Sequence, residues 1–420
     1  MTARVGILLF AVLCCNAVPI RAQHLLIPMD DEQRNHLKAY GVTFAALQDG
    51  SRSEWLLNYR GGSFLLVDSD AARRRAALAG VSAEPLDESS LQAIRAEIAT
   101  SNMDAVVLER APRIAIYTPP TSQPWDDAVT LALEYAGIPY TTVWDDDVLA
   151  GALTRFDWLH LHHEDFTGQL NKFHLSFAAA PWFQRLRNET VATAERLGFA
   201  DPPALKKAVA EMMRRYVEQG GLLFAMCGAT ETLELAIAGQ RVDIADASAD
   251  GTPRDADADA RLDWTRSFAF DGAQLEPPTA AGMSDADGHQ VNTPLRRQRL
   301  GVVSLFGFSP KFDPVAAMLV QNHRSVLPDF YGVTTSFMRQ RLKPGVTVLA
   351  YEEGAPWAKY LHGDYGRGSW TYLGGHDPED PQHAVGSAPT NLALHPNSPG
   401  YRLILNNVLF PAAKKRPRKT

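Results

Sequence analysis

The stretch LLFAMCGATETLE sets Cys227, the only cysteine besides Cys14 and Cys15, between a wholly apolar pentapeptide and a helix-forming run. A strand that turns sharply into a helix strains and presents the residue at the joint, and the first helical amides favour a thiolate there. Small Gly228 and Ala229 suit so crowded a turn, and the amide of Gly228 can stabilise an oxyanion. The plainer reading is a small hydrophobe in a core, since free cysteine is among the most buried residue types. A base for the thiol is offered by GGHDPEDPQH, where His376 follows two glycines at the end of an apolar run. Glu379, or else Asp377, would orient the ring through its other nitrogen, giving the order Cys, His, Glu. The competing reading is a proline-rich surface loop whose carboxylates are solvated.

HLHHEDF is the third cluster. On a strand, His160 and His162 share one face and His163 takes the other, so all three enter one site only if the strand ends there. The residues from His160 to Asp165 include ligand types that suit zinc or iron, which keeps a metal-dependent hydrolase as one alternative. Their spacing matches no established metal motif, so no metal or other cofactor is assigned. His162, His163 and Glu164 are expected to shape a substrate pocket. YRGGSF lacks the glycine framework and lysine of a phosphate loop, and no GxGxxG follows a strand, which removes the common nucleotide sites.

These residues need elements to carry them. RIAIYTPP, the TTV of IPYTTVWD, RFDWLHLHHEDF and LLFAMC read as strands, separated by helices at WDDAVTLALEYAG and ALKKAVAEMMRRYVEQG. Such alternation implies an α/β fold with a mostly parallel sheet covered on both faces, and ligands in such sheets sit at the carboxyl ends of the strands. GVVSLFGF, GVTVLAYEEG and GSWTYLGG continue the strand pattern, and GYRLILNNVLF closes it as a helix. Residues 111–412 form this unit, with an Ala- and Asp-rich surface insertion at about 240–300 that lacks the glycine and terminal glutamate of an EF-hand loop. Residues 23–108 read as a small α+β domain in which WLLNYRGGSFLLV makes a hairpin. Residues 1–22, with Arg4 before a short apolar run and Ala22 before Gln23, have the pattern of a cleaved signal peptide. A periplasmic or secreted chain with one remaining cysteine is therefore expected, without an internal disulfide or an integral membrane span. The formal charge of −7 gives no basis for nucleic-acid binding, and the basic tail 413–420 reads as a solvated terminus.

At Cys227 and His376 the chain resembles the class I glutamine amidotransferase-like superfamily, including its trehalose-utilisation-type relatives, over roughly residues 111 to 412. The resemblance implies a flavodoxin-like three-layer sandwich in which the elbow cysteine attacks an amide carbonyl. Cys227, His376 and Glu379 would be its triad. AMCGA stands where the family has GxCxG, and HDPE where it has HPE, so the glutamate is displaced by one place. Through LLNYRGGSFLL, LHHEDFTGQ and GGHDPEDP the whole chain also resembles secreted bacterial proteins labelled asparagine synthetase B. Neither an amino-terminal cysteine nucleophile nor an SGGxDS nucleotide loop is present to carry that activity. The expected function is an exported, cysteine-dependent hydrolase acting on a carboxamide or related acyl group of a small molecule, carbohydrate or peptide. The rival reading is a noncatalytic ligand-binding or assembly protein using the same crevice.

Overall fold

A computed structural model of the chain describes residues 23–121, 123–280, 282–288, 301–381 and 383–415. The leader at 1–22 and most of the basic tail lie outside these residues. The amino-terminal part is a five-stranded antiparallel sheet of β1 (His24–Ile27), β2 (Ser53–Leu57), β3 (Ser63–Val67), β4 (Glu84–Leu86) and β5 (Asp104–Leu108), in the order β4-β1-β3-β2-β5. The hairpin read in WLLNYRGG is β2 and β3, turned through Asn58 to Gly62, with both glycines at positive φ. Arg60 at its tip is ion-paired with Asp30, Glu32 and Glu84.

The second sheet is built from β6 (Ile114–Tyr117), β7 (Thr141–Val143), β8 (Trp158–Leu161), β9 (Leu222–Met226), β10 (Val302–Leu305), β11 (Val326–Pro328), β12 (Phe337–Met338), β13 (Thr347–Tyr351), β14 (Trp357–Tyr365) and β15 (Gly368–Leu373). Its order is β11-β10-β13-β14-β15-β9-β8-β6-β7, with β12 beside β14. From β15 to β7 every pairing is parallel; from β11 to β15 every pairing is antiparallel. The expected mostly parallel sheet is thus corrected to a mixed one. The cause is local: only Gly366 and Arg367 join β14 to β15, and two residues cannot make the crossover that a parallel pair requires.

Alternation along the parallel strands feeds two cores. Ile114, Ile116, Phe224 and Met226 pack with the helices Ala128–Ala136 and Pro399–Leu409. Ala115, Tyr117, Leu223 and Ala225 pack with the helices Pro202–Glu218 and Cys227–Ala238. The first core is continuous with that of the amino-terminal sheet through the helix His36–Gln48. That helix approaches Ala128–Ala136 so closely that a Cβ on Gly41 would lie 1.7 Å from the carbonyl oxygen of Ala136.

The segment read as a surface insertion is exposed only in part. Trp264, Phe268 and Phe270 are buried, and the buried Glu234 carboxylate accepts the amides of Phe268 and Ala269 and the hydroxyl of Tyr372. Among the described residues no helix is long and apolar enough to cross a membrane.

Where the two sheets' layers meet, Arg402 is fully buried and donates to the carbonyls of Met29 and Gly61, to the Tyr40 hydroxyl and to His323 Nδ1. His36 stacks on His323 with ring centroids 4.1 Å apart. Burial, with Arg402 adding to it, lowers His36 to about 4, and burial with His36 and Arg402 lowers His323 to about 3. Both rings are therefore neutral when folded, while the unfolded chain takes up protons below about 6.5. Their contribution to stability is complete above that pH and is lost as the pH falls through about 4 and then about 3. Urea unfolding between pH 7 and pH 3 is expected to show this acid limb, and a His36→Asn/His323→Gln double variant should flatten it.

Candidate active site

Four neighbouring parallel strands deliver the site. In register, Leu373 of β15 faces Met226 of β9, Ala225 faces Leu161 of β8, and His160 faces Ile116 of β6, so their carboxyl ends lie side by side. Cys227 follows β9, His162 and His163 follow β8, His376 follows β15, and Asp126 and Asp127 end the loop after β6.

β9 passes into the helix Cys227–Ala238 without an intervening residue, and Cys227 absorbs the change of direction with φ of 48°, in the region that favours glycine. Its neighbours must be small. A Cβ on Gly228 would lie 2.8 Å from Asn171 Oδ1, and one on Gly332 would lie 3.0 Å from the Cys227 sulfur. The amide of Val333 donates to that sulfur at 3.1 Å, and the cysteine is only 2% exposed.

His376 is carried by Gly374 and Gly375, the latter at positive φ with no room for a side chain beside Phe330. Its own amide donates to Tyr331 O at 2.7 Å. The ring lies beside Cys227, with a ring nitrogen and the sulfur within 4.8 Å of each other, and its Nε2 stands 3.6 Å from Asp126 Oδ1. Burial alone would lower this imidazole, but Asp126 and Cys227 outweigh it and raise the ring to about 10.

The carboxylate beside His376 is therefore Asp126, and the expected Glu379 is corrected. Glu379 pairs with His395 at 3.1 Å. Asp377 accepts the amides of Glu379 at 2.8 Å and Asp380 at 3.2 Å, forming an Asx turn after which His383 returns to stack on the His376 ring at 4.4 Å. Asp126 is held below its usual range despite burial, by His376 and His383; His383 Nε2 is 2.9 Å from Asp126 Oδ1.

β8 ends at Leu161, so His162 and His163 escape strand alternation and stack with centroids 4.0 Å apart, at 4.8 and 4.7 Å from the His376 ring. His163 Nε2 meets the Asp126 carbonyl at 2.7 Å. His160 remains on the strand, one layer deeper, between Phe224 O at 3.1 Å and Asp127 Oδ2 at 3.2 Å. Asp127 also lies 3.3 Å from His162 Nδ1, and its Oδ1 caps the helix Ala128–Ala136 by accepting the amides of Val129 and Thr130. Glu164 accepts the His162 amide, and burial raises its carboxyl to about 7.

Trp125, Trp144, His163, Glu164, Asn171 and Phe173 border a cleft of about 430 Å³ next to these rings. Among the described residues, three groups bring potential metal ligands together: His162, His163, Cys227 and His376; Asp126, His376 and His383; and Asp127, His160 and His162. Asp126, Asp127, His383 and Val333 were absent from the sequence reading. Only Asp127 left a signal there, as an aspartate at the N-cap of an amphipathic helix.

No family model and no curated protein matches the chain. Among solved structures, a cytoplasmic protein from Salmonella typhimurium is 11% identical, with a TM-score of 0.35 over 72% of this chain and 100% of its own. A second cytoplasmic protein, from Salmonella typhimurium LT2, is 14% identical, with a TM-score of 0.35 over 72% of this chain and 99% of its own. A GH42 beta-galactosidase is 10% identical, with a TM-score of 0.27 over 65% of this chain and 28% of its own. Likeness at this level carries no argument about fold or function.

The left-handed backbone at Cys227 makes a direct prediction. Cys227→Gly is expected to be about 1 kcal/mol more stable to urea than Cys227→Ala, because glycine alone takes this φ without strain. Equal stabilities would mean that the elbow relaxes once the sulfur is gone.

Proposed function

We propose that the protein is a cysteine-dependent hydrolase of carboxamides or related acyl compounds, on a scaffold of the class I glutamine amidotransferase-like, flavodoxin-like type. The observation that supports this best is Cys227 at φ of 48° on a strand-to-helix joint, its sulfur within 4.8 Å of a nitrogen of a histidine that has a carboxylate behind it. The leader pattern at residues 1–22 adds export to the reading.

In this scheme the proton shared by Cys227 and His376 rests on the imidazole, and the thiolate attacks the acyl carbon. The carbonyl oxygen takes up negative charge near the amide of Gly228 at the helix start. Collapse of the tetrahedral intermediate breaks the C–N or C–O bond, and the leaving group departs with the proton from His376. Water, deprotonated by the same ring, then cleaves the thioester and restores the thiol. Asp126 is a positioning residue that holds the ring toward the sulfur. Gly332 and Val333 cover Cys227, so substrate entry requires them to withdraw.

Iodoacetamide labelling of the metal-free protein at pH 7 tests the pair. Wild type is expected to be alkylated at Cys227 at least tenfold faster than His376→Ala, with Asp126→Asn between them and Glu379→Gln at the wild-type rate. A panel of amides and esters should then leave an acyl mass on Cys227 that Cys227→Ser lacks. A thiol that stays unmodified, or whose labelling is indifferent to His376, overturns the reading.

A further inference from the structure

His162, His163, Cys227 and His376 each present one ligand atom, and all four atoms lie within 4.8 Å of one another. Donors bound to one tetrahedral ion at zinc distances stand about 3.3–3.8 Å apart, so closing the cluster on an ion needs shifts of about an ångström. The ring orientations favour this. His163 has its Nε2 against the Asp126 carbonyl at 2.7 Å, which fixes the proton there and leaves Nδ1 with its lone pair. His162 has its Nδ1 facing Asp127 Oδ1 at 3.3 Å, which draws the proton to that side and leaves Nε2 bare. Both ring nitrogens are buried without a hydrogen-bond partner among the described residues, and only Nδ1 has a carboxylate at ion-pair distance.

We propose that these four side chains form a binding site for a borderline-soft divalent cation, zinc above all, through His162 Nε2, His163 Nδ1, the Cys227 sulfur and a His376 ring nitrogen. Metal-binding histidines characteristically donate their other N–H to a carboxylate or a backbone carbonyl; the Asp126 carbonyl takes that part for His163, and the Asp127 carboxylate lies 3.3 Å from His162 Nδ1, placed to take it for His162. A thiolate and imidazoles suit zinc and do not suit magnesium or calcium. The neighbouring groups fit less well. One capping oxygen of Asp127 is already engaged by two amides, and neither neighbouring group contains a sulfur.

Coordination forms a metal–sulfur bond and a bond to a His376 nitrogen and releases to solvent the one proton that Cys227 and His376 share, with no change of oxidation state. Four protein ligands close the shell and leave no open position for a water. If the nucleophile reading holds, bound zinc is then a reversible block on Cys227; the binding itself does not depend on that reading.

The full-length mature protein, stripped with chelator, is titrated with Co²⁺ as an optical stand-in and with Zn²⁺ against a chromophoric chelator, while iodoacetamide labelling is followed in parallel. The expected result is one equivalent of Co²⁺ with a thiolate-to-cobalt charge-transfer band, and zinc-dependent protection of Cys227 that chelator reverses. Cys227→Ser should lose the band, Asp127→Asn should weaken zinc about 10- to 100-fold, and His383→Gln should leave both unchanged. Should Asp127→Asn fail to fold, Cys227→Ser still decides the matter. No stoichiometric binding by wild type overturns the proposal, as does binding without the sulfur band or binding lost only in His383→Gln. A metal-free thiol that does not react, together with zinc bound at Cys227, removes the nucleophile reading and keeps the metal site. A reactive thiol with no zinc bound does the reverse.

Discussion

Asp126 and Asp127 are adjacent in the chain and direct their carboxylates at different imidazoles. Asp126 faces His376 and His383, Asp127 faces His160 and His162, and the Asp126 carbonyl holds His163. One dipeptide thus orients the five rings of the crevice. Rings packed at centroid distances of 4.0 to 4.8 Å away from bulk water are costly to bury, and the two carboxylates set a counter-charge beside them at 2.9 to 3.6 Å. Because Asp127 also caps the helix Ala128–Ala136, the ring layer is tied to that helix. The helix in turn lies against Gly41 of the amino-terminal part. The small antiparallel sheet therefore supports the site from outside it, through one close helix contact and the Arg402 joint.

The second constraint is the direction of the sheet. Parallel strands bring all their carboxyl ends to one edge, which is why β6, β8, β9 and β15 can each contribute to one crevice. β15 is where the two halves of the sheet meet. It pairs in parallel with β9 and antiparallel with β14, so the residues after it face both Cys227 and the loop before β12. A single polarity throughout would have sent His376 or its supporting loop elsewhere.

The parallel half was legible in the sequence because long helices separate its strands. LLFAMC, RIAIY and WLHL are each buried on both faces, and runs of that kind cannot be confused with hairpin strands. The elbow was legible as well, from the small residues after Cys227. The antiparallel half was harder to read. β14 is nine residues long and mixes Lys359, His362 and Asp364 with apolar positions, and it gives no clean alternation. Asp126 could not be found from sequence as the partner of His376, since 250 residues separate them and only the in-register strand ends bring them together. The spacing of HDPE pointed to Glu379. The Asx turn at Asp377 decides against it, and a local hydrogen bond of that kind leaves no mark in residue spacing.

The covering of Cys227 limits how the site can work. The loop from Asp329 to Ser336 is anchored at several points: Lys359 holds Asp329 and the Phe330 carbonyl, the His376 amide holds Tyr331, and the Gly375 amide holds Thr334. Lys359 is a buried ammonium, lowered by desolvation against the pull of Asp329, so its carboxylate partner is needed to keep it charged. Between these anchors only Gly332 and Val333 touch the sulfur, through a single amide hydrogen bond. A carbonyl oxygen, an alkylating agent or a metal ion must each replace that one bond to reach Cys227. The rest of the loop can keep its anchors while that happens. The cost of opening is then that of the amide bond to sulfur and of the Thr335 hydroxyl bond to the Gly332 carbonyl, below the cost of freeing the whole loop. A nearly inaccessible cysteine and a usable one are compatible on this backbone because few contacts hold the cover between its anchors.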